Sequence, residues 1–184
     1  MSDITVALTS DHELPKIKGT FEKVRAISDE VDGMVQTVVQ DVCADLDTYM
    51  VGINTILTDQ QTPVSDVQLD DFTLNLPALL YFVSSEQETL GIKDDVSKAL
   101  QKEVFNRVRE KAQGTVADKD TAAELAAQYE TIVNIVYNRA YKKVKLRVEA
   151  AYEMLNSVKK VMTRRIAEYG IVAGDPSGEA TRRG

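Results

Sequence analysis

The chain has no tryptophan, one histidine and one cysteine among its 184 residues. With Cys43 alone, no intrachain disulfide can form, and the chain suits a reducing compartment. With His12 alone, neither a histidine-based metal cluster nor a Ser-His dyad can be assembled within one chain. A Gly-rich phosphate loop with its Lys and Ser/Thr is also missing. The longest apolar run, Leu76 to Val83, falls well short of the about 20 residues needed to cross a bilayer. The first residues carry no basic stretch followed by an apolar run, so no secretory signal is expected and the predicted location is cytoplasmic. No cofactor, metal, membrane partner or enzymatic activity is expected from this inventory.

Helix breakers are also few. Nine Gly and four Pro, with most Gly near the ends or between periodic segments, leave long uninterrupted stretches. Basic residues are missing from a whole region: Ala26 to Ile92 holds twelve Asp/Glu and no Lys or Arg. Between Arg139 and Arg165 the balance inverts, with nine basic residues against only Glu149 and Glu153. The net charge of −7 therefore averages a polyanionic first half and a cationic stretch near the end. Such segregation predicts that two regions meet different partners, because net charge governs association more than fold. The carboxylate pairs Asp41/Asp45 and Asp70/Asp71 are too few oxygens for a hard cation and read as solvated helix faces. Cys43, between Val42 and Ala44, reads as a packing residue.

What is present is helical periodicity. Residues 1–14 are a weakly patterned arm. From about 15 to 58, Phe21, Val24, Ile27, Val31, Val35, Val38, Val42, Leu46, Tyr49, Ile53 and Ile56 step by threes and fours. Gly33 and Gly52 are candidate breaks in that stripe, and Thr58 to Ser65 reads as a loop. A second helix is expected over about 75–112, capped by Asn75 with Pro77 in its first turn, and with Gly91 as a candidate kink. Its stripe carries Leu76, Leu80, Val83, Leu90, Val96, Leu100, Val104 and Val108. Gly114 suits a helix end. The third helix, about 121–169, contains no Gly or Pro and carries an apolar stripe from Leu125 through Val144 and Leu155 to Ile166. A tail, 170–184, holds Gly174, Pro176 and Gly178 and is expected to be disordered. The predicted fold is all-α, an elongated antiparallel bundle of three long helices, coiled-coil-like. Helices this long bury little per subunit, so a homo-oligomer is expected.

The cationic helix is where binding chemistry concentrates. Lys142, Lys160 and Arg164 project within about 40° of one another, opposite the apolar stripe. Such a face can track a phosphate backbone through counterion release. Five of seven tyrosines lie on this helix, and Tyr141 and Tyr152, off the stripe's centre, are candidates for stacking on unpaired bases. The alternative is an ordinary salt-bridged surface, since Glu149 and Glu153 share that face and Glu149 lies four residues from Lys145.

Residues 75–169 contain Leu79-Leu80-Tyr81, Ile92-Lys93-Asp94-Asp95-Val96, Gly114-Thr115-Val116-Ala117-Asp118-Lys119-Asp120, Gln128-Tyr129 and the Lys/Arg-containing last helix. This pattern resembles phage recombination mediators of the UvsY type, small helical proteins that help load a RecA-like recombinase onto single-stranded DNA coated with its binding protein. The long acidic first helix is an addition to the family pattern. The resemblance implies a non-enzymatic activity in the host cytoplasm, with single-stranded DNA, a recombinase, a single-strand-binding protein and further copies of the chain as partners. Phosphate contacts are then expected from Lys142, Lys143, Arg147, Lys159, Lys160, Arg164 and Arg165, with Lys93, Lys98 and Lys102 as secondary candidates. The competing expectation is a structural or interaction protein (a virion component, assembly factor or adaptor) that binds no nucleic acid.

Overall fold

The computed structural model describes residues 14–173; His12 and most of the expected arm and tail lie outside the described residues. All regular structure among them is helical, in four helices: α1 (Leu14–Thr58), α2 (Asp66–Lys111), α3 (Val116–Ala126) and α4 (Gln128–Ala173). Three long helices were expected where four are found. The expected last helix is divided at Ala127 (φ −91°, ψ 10°), whose N–H still donates to the Ala123 carbonyl while its own carbonyl accepts from Thr131 N–H. The interruption is thus one residue wide.

The boundaries show which local signals won. Helix α2 starts at Asp66, not at Asn75. Ser65 and Gln68 form a reciprocal cap, with Gln68 N–H donating to Ser65 Oγ (3.2 Å) and Ser65 N–H donating to Gln68 Oε1 (2.8 Å). Pro77 therefore sits inside the helix, where it removes one backbone donor, and Asn75 donates to Asp71 Oδ1 instead of capping. Gly33 and Gly52 do not break α1 and Gly91 does not break α2. Helix α3 opens with a second capping box, Thr115 with Asp118. Just before it, Gly114 adopts φ +116°, and a Cβ there would sit 2.9 Å from Asp118 Oδ2, so this position requires glycine.

The chain divides into two compact units. Unit 1 comprises residues 1–39 and 91–140, and unit 2 comprises 40–90 and 141–184. Unit 2 holds a dense apolar core: Cys43, Leu46 and Ile53 from α1, Leu69, Phe72, Leu76, Leu80, Val83 and Leu90 from α2, and Val144, Ala151, Leu155 and Val158 from α4. The second part of α1, residues 40–58, is therefore integral to this core.

Unit 1 is built differently. Its buried apolar residues are Val35, Val39, Ala123, Ala127, Val136 and Ala140, none larger than valine. At its centre is a polar cluster that the apolar periodicity did not announce. Asp94, 7% exposed, and Ser97 occupy the inward face of α2, while Val96 and Leu100 of the expected stripe are exposed. Asn134 of α4 donates to Asp94 Oδ1 (3.0 Å) and Ser97 Oγ (3.0 Å), and Asn138 donates to Asp94 Oδ2 (3.0 Å). Lys98 Nζ donates to the same Oδ2 at 3.0 Å. Seven residues on, Gln101 donates to Thr131 Oγ1 (2.8 Å), which fixes an antiparallel α2–α4 register within the unit. Burial by itself raises the Asp94 pKa, but donation by Asn138, Lys98 and Asn134 and the Lys98 charge together outweigh it and hold the carboxyl below its ordinary value.

Candidate nucleic-acid interface

From Lys142 to Arg165 the cationic segment of α4 lies in unit 2, while Arg139 belongs to unit 1. Its inward face is Val144, Ala151, Leu155 and Val158, so one side of the helix is fixed against α1 and α2. Lys142, Glu149, Glu153, Lys160 and Arg164 are all exposed, which puts the centre of the outward face where the 3.6-residue period places it.

The seven expected phosphate-binding side chains divide into three kinds. Lys142, Lys159 and Lys160 are exposed and have no ionic partner among the described residues. Arg164 is exposed but donates to Glu168 Oε1 at 2.9 Å, one turn away, and Lys143 is half-buried and already engaged. Arg147 and Arg165 turn sideways into the protomer. Arg147 Nε lies 2.9 Å from Asp47 Oδ2 on α1. Arg165 Nη1 lies 2.5 Å from Asp66 Oδ1 at the start of α2, and its other guanidinium nitrogen donates to the Val64 carbonyl in the α1–α2 loop. The segregated charges of the sequence are thus partly paired within the protein itself, anion of the first half against cation of the last helix.

These two arginines behave as ties between elements. Replacing Arg165 by Gln is expected to cost about 1 kcal/mol in a chemical denaturation series, because a partly buried ion pair and a carbonyl interaction are lost while neither partner is left fully buried. Oligonucleotide binding should not change.

Of the stacking candidates, Tyr141 is half-buried, whereas Tyr152 is 50% exposed. Tyr152 stands seven residues from Lys145 and seven from Lys159, and all three side chains are exposed. Two helical turns put them on one stripe at intervals of about 10 Å, cation, ring, cation. Lys145 was not among the expected contacts. Its loose approach to Glu149, 4.0 Å, leaves its ammonium in solvent. The secondary candidates in unit 1 are mostly engaged: Lys93 lies 5.9 Å from the Tyr137 ring centroid, over its face, and Lys98 holds Asp94, while Lys102 is exposed.

The remaining groups with chemical potential are occupied by packing. Cys43 is fully buried, and burial, with the Asp47 charge beside it, pushes its thiol up to about 11 against the opposing pull of Arg147. Tyr49 is pushed up to about 12 by burial and by its hydrogen bond to Asp71 Oδ2 (2.8 Å). Among the described residues, no cluster of three or more His, Cys, Asp or Glu is placed to hold a metal ion, and no helix is long and apolar enough to cross a membrane. Compared with known proteins, the chain matches no family model, no curated protein and no solved structure.

Proposed function

We propose that this chain is a non-enzymatic recombination mediator of the UvsY type, which holds single-stranded DNA on the outward face of α4 and helps load a RecA-like recombinase. The observation that carries this reading is the exposed Lys145–Tyr152–Lys159 stripe beside the unpaired Lys142 and Lys160. A single strand offers two chemistries at once, a phosphate backbone and unstacked bases, and a ring between two ammonium groups meets both. Nothing in such a face reads base identity, so the binding is sequence-tolerant and electrostatic. Several copies acting together multiply a modest affinity per subunit through effective concentration.

The test is fluorescence anisotropy of a labelled oligonucleotide in about 50 mM salt, repeated as salt rises. Binding that weakens steeply with salt is expected, and Tyr152→Ala should weaken it about 10-fold through loss of one base stack. No binding at the lowest salt would rule the reading out.

The second reading, a structural or interaction protein without nucleic-acid binding, is favoured by a different observation. On α2 of unit 2, Val67, Leu74 and Tyr81 recur every seven residues and are all exposed, a pattern suited to a partner helix. Assembly unaffected by DNA, in a chain that binds no oligonucleotide, is the result that reading expects.

A further inference from the structure

Among the described residues, helix α1 is unpartnered over a stretch that still carries large apolar side chains. Every residue from 20 to 30 is exposed, including Phe21 (71%), Val24 (57%) and Ile27 (58%). Three turns of helix with no inward face are marginal in water and need something to pack on. Among the described residues, unit 1 also lacks any buried residue larger than valine, and Ile27 borders an open groove of about 620 Å³ with Phe105, Ala127 and Ile132. The protomer leaves this end of its core incomplete.

The sequence of the exposed stretch says what completes it. Ile17, Val24, Val31 and Val38 recur every seven residues, with Ile27 and Met34 on the adjoining seam three residues after Val24 and Val31. Charge along the same stretch is antisymmetric. Residues 14–25 hold four basic side chains and one acidic, whereas residues 26–37 hold three acidic and none basic. Two such helices side by side in parallel set like against like. Antiparallel, they set basic halves against acidic halves in both directions at once, the self-complementarity that a two-fold interface requires.

We infer that residues 16–35 of α1 pair with the same segment of a second copy as an antiparallel coiled coil, with the two-fold axis between Arg25 and Ala26. In that register Val24 of one copy packs on Ile27 of the other, Ile17 on Met34, and Thr20 on Val31. Lys23 of each copy then flanks the Val24 layer opposite Glu30 of the other, and neither residue has an ionic partner among the described residues of the protomer. The Arg25–Asp29 pair within each helix, at 3.9 Å and fully exposed, is weak enough not to compete. This inference does not rest on nucleic-acid binding.

Sedimentation equilibrium of the full-length chain over a range of concentrations tests it. The wild type should dimerise, and Ile27→Asp should weaken the dimer at least 10-fold by placing a charge in a central layer. Because that substitution can also fray the helix, the decisive measurement uses charge. Lys23→Glu and Glu30→Lys should each weaken the dimer about 10-fold, since each sets like charges across both symmetry-related sites. An equimolar mixture of the two variants should regain wild-type affinity, because every cross-copy pair is again opposite in sign. A chain that stays monomeric at all concentrations would overturn the inference; that is the result expected if residues 1–13 or a different protein cover this face. A mixture no tighter than its components would overturn the antiparallel register, and an assembly indifferent to Ile27→Asp would place the interface elsewhere.

Discussion

Replacing Asp94 by Ala should lower the free energy of unfolding by about 3 kcal/mol, read from a urea denaturation series at neutral pH. The magnitude follows from what is left behind. Asn134 and Asn138 both aim amide hydrogens at this carboxylate, and Lys98 places its ammonium against it. Without it, two donors on the inner side of α4 lose their acceptor while water has little access to replace it. Asp94→Asn should cost less, since one side-chain oxygen still accepts, but the attraction to Lys98 is gone. The pH dependence has a definite sign. The folded pKa lies below the ordinary value of 3.8, so the group stabilises the fold fully above the unfolded pKa. That contribution disappears as pH falls through the folded value, below 3.8. The stability difference between wild type and Asp94→Asn should therefore be constant near neutrality and shrink in acid below about pH 4. A difference that grows on acidification would contradict this assignment.

This cluster was only partly legible in the sequence. The spacing of Asp94 to Ser97 and Lys98 is helical, but Val96 and Leu100 have the better claim to an inward face on hydropathy. Those two are exposed and Asp94 is buried. The reason lies some 40 residues away, where Asn134 and Asn138 supply the donors that make burial of a carboxylate tolerable. A single helix cannot show that its polar residue will find such partners.

Reversing Lys142, Lys159 and Lys160 to Glu should lower affinity for a single-stranded oligonucleotide by two orders of magnitude or more at about 50 mM salt. Each phosphate contact on a single strand contributes about 0.7 to the slope of log affinity against log salt, so three lost contacts should flatten that slope by about 2. The effect should be the same for oligonucleotides of different base composition. Arg147→Gln is the matched control: its guanidinium is 2.9 Å from Asp47 and half-buried, so it should alter stability and leave the salt slope unchanged. Equal loss of DNA affinity in the control and the triple variant would mean that the α4 face is not the binding surface. Retention of full affinity by the triple variant would mean the same.

The sequence by itself determined that the chain is helical, that its helices carry apolar stripes, and where the cations of the last helix are concentrated. Each of these is a local property. A 3.6-residue apolar period demands burial of one face whatever meets it, and Leu46, Ile53, Leu76, Leu80, Val144, Ala151, Leu155 and Val158 all obey it. Even the start of α2 was written locally, in Ser65 and Gln68, though Asn75 with Pro77 offered a competing signal. Tertiary structure alone decided the fate of individual charges and of the first stripe. Arg147 and Arg165 have the same composition-level signature as Lys142 and Lys160, but their partners Asp47 and Asp66 are about 100 residues away in the chain. Phe21, Val24 and Ile27 continue the period of Val35 without a break, but all three stay exposed among the described residues. Periodicity states that a face must be buried; only the packing of the other helices settles which faces the protomer itself can cover.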